Sequence, residues 1–203
     1  MDLKLIYGNM RALCEAPQMM LHYADIPYKY KMVWDHYGSS WAEVKKDIIF
    51  NRLPILIINE DKYLWQSNTI IRYLSNLTKT KPSDEFQLAY CDAVFESTHE
   101  MFSPLNPTIN MTFGEKYISN KKKLLENILP NSLNNFEKLL QNSSGNFFIG
   151  NDPFYCDFNA YHHFSMCLIL DKNIFSNFPN LKKFIINFEK LNNIKNYLDG
   201  RPE

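Results

Sequence analysis

The sequence predicts a chain in two parts, a small α/β layer of order βαβαββα followed by an all-helical bundle (α/β + all-α). Three observations predict it. Short apolar strands occur only in the first 77 residues, apolar residues from position 84 onward recur only at helical spacing, and a polar, proline-bearing stretch (TKTKPS) separates the two textures. The expected division is therefore 1–77, a linker at 78–83, and 84–203. At 203 residues the chain is long enough to bury a sizeable core.

Taken in order, residues 3–7 read as a strand. Residues 10–23 carry Leu13, Ala16 and Met20 at helical spacing, with Pro17 expected to kink that helix. Ile26-Pro27 breaks the pattern, and 28–33 reads as a second strand; strand, helix, strand in that order makes a parallel pair. Residues 41–47 form a short irregular helix. After Leu53-Pro54 come an apolar strand at 55–58, a turn at Asn59-Glu60-Asp61, a strand at 63–65, and a helix at 67–77 with Ile70, Ile71 and Leu74 on one face. The second part reads as helices at 84–102, 120–141 (with Pro130 as an interior kink), 157–171 and 180–191, then a final turn to Leu198.

The stretch 50–67 carries the chemistry. A residue before proline is pushed into extended geometry, so Leu53 offers its backbone N–H and C=O to an extended peptide, and Leu53-Pro54 is a candidate cis bond. Ser67 is expected to be the N-cap of a helix whose first N–H groups attract a carboxylate. Both ends of a small acidic peptide can be held between these points. Other classes lack support. Lys+Arg and Asp+Glu balance at 22 each, which gives no electrostatic case for nucleic acid or an anionic membrane. No apolar run reaches the roughly 20 residues that span a bilayer, and no leader-like start is present, so a soluble, cytoplasmic protein is expected. Cys14, Cys91, Cys156 and Cys167 lie far apart and read as buried small apolar residues in a reducing compartment. His162 and His163 are adjacent, so their rings diverge on a helix, and no metal site is expected.

Local motifs add a resemblance. Tyr7 with Asn9-Met10-Arg11, Trp41-Ala42-Glu43-Val44-Lys45, Phe50-Asn51-Arg52-Leu53-Pro54, and the run from Trp65-Gln66-Ser67 to Tyr73-Leu74 resemble those of cytosolic glutathione transferases. Phe148-Ile149-Gly150 with Asp157, Phe178-Pro179-Asn180-Leu181 and Arg201-Pro202 extend the resemblance over essentially the whole chain. The sigma class, which includes haematopoietic prostaglandin D synthases, is the nearest. The resemblance implies a thioredoxin-like N-terminal domain, glutathione as co-substrate without a metal, and a homodimer. It assigns Tyr7 as hydrogen-bond donor to the glutathione sulfur and Leu53, with Pro54 cis, as backbone partner of the cysteinyl unit. Gln66 and Ser67 hold the γ-glutamyl end. Trp41, Lys45, Asn51 and Arg52 surround the glycyl carboxylate, and Glu100 reaches the ligand of a neighbouring subunit. Phe50 matches an aromatic knob of the dimer contact. Gly8, Leu13, Phe102, Pro104 and Leu105 are the candidate lining of a second-substrate pocket.

Singly, each residue has an ordinary explanation: Tyr7 as a strand-end aromatic, Trp41 as packing, Lys45 and Arg52 as a solvated face, Glu100 as one member of a helical charge pattern. There are also departures from the family pattern. Gly8 replaces an aromatic and Ala12 a glycine. Leu13 stands where sigma members carry a thiolate-favouring arginine, Asn51 replaces a glycine, and Phe154 replaces a capping Ser or Thr. The function implied is conjugation of the glutathione thiolate to small hydrophobic electrophiles, or hydroperoxide reduction. The alternatives are glutathione-dependent isomerisation of the prostaglandin D synthase type and a non-catalytic ligand-binding or crystallin-like role.

Overall fold

Four strands make one mixed sheet in the order β2-β1-β3-β4 in the computed structural model, which describes residues 1–201. The described chain divides into one unit of residues 1–81 together with 199–201, and a second unit of Pro82–Leu198.

In the first unit, β1 (Leu3–Tyr7) pairs parallel with β2 (Lys29–Met32) and antiparallel with β3 (Ile55–Ile58), which pairs antiparallel with β4 (Lys62–Trp65). The unbroken apolar run of β3 is explained by its central place, with both faces covered. Ile55 and Ile57 join Ile6, Val33 and Ile48 in a cluster bounded by Trp41, Val44, Leu53 and Trp65. By alternation, Leu56 and Ile58 point to the opposite face. There α1 (Glu15–Tyr23) packs against α4 (Ser67–Leu77).

Three local expectations are corrected. The first helix starts late, as a 3-10 turn Ala12–Cys14 running into α1, so Pro17 is the third residue of α1. An N–H there has no partner within the helix to lose, and no kink results. β2 ends at Met32, and Val33 opens a helix that the strand reading of 28–33 passed over: α2 (Val33–Tyr37), closed by Gly38 at φ 69. α3 (Trp41–Val44) follows. At the start of α4, the N-cap is Gln66, and Ser67 is the first helical residue.

In the second unit, α5 (Glu85–Met111) continues through Pro104 and Pro107 instead of ending near 102. The missing N–H bonds are outweighed by the buried face of Met101, Phe102, Leu105 and Thr108. α6 (Gly114–Lys123) leads through one π turn, Leu124–Ile128, into α7 (Leu129–Gln141). Pro130 lies at the start of α7, where its ring excludes the carbonyl four residues back, so the ladder widens before it in place of an interior kink. α8 (Tyr155–Leu170) is buried along nearly its whole length and packs on α5. α9 (Pro179–Glu189) and α10 (Ile194–Gly200) complete the bundle. The abundant phenylalanine is core here: Phe147, Phe148, Phe164, Phe184 and Phe188 meet largely edge to face. All four cysteines are buried and free.

Candidate functional site

The sheet register assembles one end of the first unit. Ile6 pairs with Ile55, and Ile55 with Trp65; one step beyond these pairs come Tyr7, the last residue of β1, Pro54, which precedes β3, and Gln66, which follows β4. Leu53-Pro54 is cis. Next comes the N-terminus of α4, where Ser67 is buried and its hydroxyl lies 3.4 Å from Asn68 Oδ1.

Tyr7 is 7% exposed, and its hydroxyl oxygen accepts the Leu13 backbone N–H at 3.3 Å. That bond uses an oxygen lone pair and leaves the phenolic hydrogen to be donated. Burial pushes the Tyr7 pKa up to about 12, against the Leu13 bond, which lowers it, so the group is a neutral donor at physiological pH. Leu13 thus contributes a main-chain dipole at the position where the resemblance implies an arginine. Tyr30 donates to the Gly8 carbonyl at 2.7 Å and ties β2 to the end of β1. A Cβ built on Gly8 would meet no atom within 4 Å, so the missing aromatic leaves open space.

The segment carrying Trp41 and Lys45 is fixed by Glu43. Its carboxylate accepts from Ser40 N at 3.0 Å and from the Ser39 and Ser40 hydroxyls, each at 2.7 Å, bonds that hold its pKa below the usual range. Trp41 and Leu53 border the same apolar cluster, whereas Lys45, Asn51 and Arg52 are exposed on the chain between α3 and β3. Among the described residues, four of the nine non-glycine positions with positive φ lie in these segments: Ala12 (29°), Phe50 (65°), Asn51 (51°) and Gln66 (69°). Such backbone costs free energy and concentrates at functional sites. Asn51 is in the left-handed geometry that a glycine would take without strain.

In the second unit, Glu100 is exposed on α5. Phe102 is buried and stacked on His163 with centroids 4.5 Å apart, Leu105 is fully buried, and Pro104 is half-buried. Among the described residues, no group of three or more His, Cys, Asp or Glu side chains is placed to hold a metal ion. Likewise, no described helix is long and apolar enough to cross a membrane.

Sequence reasoning missed several of these interactions. The Ser40-x-x-Glu43 spacing was a readable capping signal. The Tyr30–Gly8 bond and the Leu13–Tyr7 bond had no local signature. Nor did the pairing of Arg201 with the fully buried Glu15 at the start of α1, which spans almost the whole chain. Pro202, matched to the family above, lies outside the described residues.

The chain is an α/β unit whose cis-proline strand lies beside a helix N-terminus, followed by a helical unit. The comparisons agree. Residues 1–76 match the family model "Glutathione S-transferase, N-terminal domain", and residues 99–201 match "Glutathione S-transferase, C-terminal domain". The chain belongs to the glutathione S-transferase family. It is 28% identical to a Caenorhabditis elegans glutathione S-transferase P over 99% of this chain and 94% of that one. The Pi-class glutathione S-transferase structure from Onchocerca volvulus superposes with a TM-score of 0.87 at 26% identity, covering 99% and 94% of the two chains. Rat hPGDS complexed with a quinoline superposes at 0.88 with 24% identity, covering 100% and 98%, a likeness of fold.

Proposed function

We propose that this protein is a tyrosine-type glutathione transferase, in which Tyr7 holds glutathione as its thiolate for attack on a small hydrophobic electrophile. The single observation carrying the reading is the row of Tyr7, Pro54 and Gln66 at one end of the sheet, beside the free N–H groups of α4. An ordinary thiol, with pKa near 8.5, is mostly protonated at neutral pH, and the thiolate is the nucleophile. A neutral phenol donating to sulfur stabilises the anion, the thiol proton passes to solvent, and a carbon–sulfur bond forms as the electrophile's leaving group departs. Leu53 pairs with the cysteinyl backbone, and Gln66 and Ser67 take the γ-glutamyl carboxylate at the positive end of the α4 dipole. Trp41, Lys45, Asn51 and Arg52 meet the glycyl carboxylate. In this reading, residues 1–77 hold glutathione. The family resemblance assigns second-substrate binding to Gly8 and Leu13 in the first unit and to Phe102, Pro104 and Leu105 in the second, within residues 84–203. The balanced charge and four reduced, buried cysteines suit a cytoplasmic protein.

Calorimetric titration with glutathione, followed by an assay with 1-chloro-2,4-dinitrobenzene, is expected to give binding and turnover. Binding without turnover replaces the proposal with a ligand carrier, and no binding with a structural role. The second reading is isomerisation of the prostaglandin D synthase type, within a sigma-like class. Tyr7, Trp41 and Lys45 permit it, and product analysis with a prostaglandin endoperoxide separates it.

A homodimer goes with the reading, because Glu100 serves a ligand only across a two-fold interface and Phe50 is 60% exposed. Sedimentation at micromolar concentration is expected to report a dimer. A monomer removes the roles of Glu100 and Phe50.

A further inference from the structure

On the face of the sheet that carries Ile55 and Ile57, a cleft of about 390 Å³ opens between the strands and the segment following α3. Ile55 lies at its base. Trp65 pairs with Ile55 and Tyr63 with Ile57, so both aromatics project on this face; their rings are stacked 18° apart in plane, with centroids 6.3 Å apart. Tyr37, Val44, Ile48 and Ile49 complete the apolar lining. Tyr37, Ile49 and Tyr63 are 38%, 53% and 42% exposed. Exposed apolar residues are ordinarily scattered; here they converge on a concavity in the size range that small ligands fill.

One lining residue is charged. Asp47 sits on the cleft, and among the described residues its carboxylate has no hydrogen bond or ion pair. We propose that this cleft is a second binding site, whose ligand is a small aromatic ammonium ion. Its positive head pairs with Asp47 and lies against the electron-rich faces of Tyr63 and Trp65, while its carbon body covers Tyr37, Ile49 and Ile55. Asp47 is exposed at the cleft edge, so a neutral hydrocarbon gains nothing from it, a cation is attracted and an anion is repelled. The lining shares no residue with the glutathione set, so the site stands whether or not glutathione binds.

Titration of the full chain with 2-phenylethylammonium and with uncharged 2-phenylethanol tests this. Wild type is expected to hold the ammonium about tenfold more tightly than the alcohol. Asp47→Asn removes that preference while leaving the alcohol's affinity and glutathione turnover unchanged. Tyr63→Ala, on an edge strand, weakens the ammonium about fivefold at an unchanged melting midpoint. The proposal is overturned by equal affinities in wild type, by a preference that survives Asp47→Asn, or by displacement of the ammonium with glutathione. Dissociation of a dimer on saturation with the ammonium places a second copy over the cleft and overturns it as well.

Discussion

Replacing Tyr7 with Phe is expected to lower glutathione turnover by about 10- to 100-fold with the dissociation constant for glutathione nearly unchanged, the range that follows from losing one hydrogen bond to a charged group, about 1.5–3 kcal/mol. The phenyl ring keeps the packing of a residue that is almost fully buried at the end of β1. Only the donor is lost. Because burial places the phenol's own pKa at about 12, the pH dependence of the wild-type rate near neutrality reports the bound thiol, not Tyr7. The variant's bound thiol should therefore titrate at higher pH, toward the ordinary value of about 8.5. Ultraviolet titration of bound thiolate measures this directly. Unaltered turnover and an unaltered thiol titration would remove Tyr7 from the chemistry while leaving the fold and family untouched.

Where the pattern is local, sequence and structure agree. The alternation in 3–7, the apolar 55–58 run and the 67–77 helix appear at the residues that periodicity marks, because each places an apolar face against the sheet's own core. Leu53-Pro54 and Gln66-Ser67 were legible because they flank two short strands joined by a tight turn, which leaves little freedom of register; the place of Tyr7 beside them is set by pairing across distant segments. The disagreements lie where tertiary packing overrides a local rule. Pro104 and Pro107 should end a helix, yet α5 continues because one face of it is buried. Val33 favours a strand, yet its burial beside Ile6 and Ile48 is achieved from the first residue of α2. The Leu13 N–H that meets Tyr7 is a backbone group, and no side-chain motif encodes it. Glu15 is buried at the start of α1 and pairs with Arg201, far along the chain, a partnership with no local signature.

Asp157→Ala is expected to destabilise the protein by about 2–5 kcal/mol, the cost of orphaning one buried and one half-buried N–H, the second of which is the cap of α8. Asp157 is fully buried at the third residue of α8; one carboxylate oxygen accepts from Phe148 N at 3.1 Å and the other from Phe154 N at 2.8 Å. Phe154 has no side-chain acceptor to offer at the cap, and the Asp157 carboxylate ties the 148–154 loop to α8. Burial raises its pKa from 3.8 to about 7, against the N–H bonds, which lower it. A carboxyl whose folded pKa lies above its unfolded one adds stability that is complete below about pH 4 and is lost as pH rises through about 7. Asp157→Asn cannot titrate. The stability gap between wild type and this variant should therefore narrow by roughly 2 kcal/mol between pH 5 and pH 8. His163, whose burial holds its pKa well below the ordinary value, acts in the opposite sense, lowering stability as pH falls below 6.5. It does so equally in both proteins, so it cancels from the difference. Urea unfolding of wild type and Asp157→Asn at the two pH values measures the gap. A gap independent of pH would mean that the carboxylate is ionised throughout and that its two N–H bonds outweigh its burial.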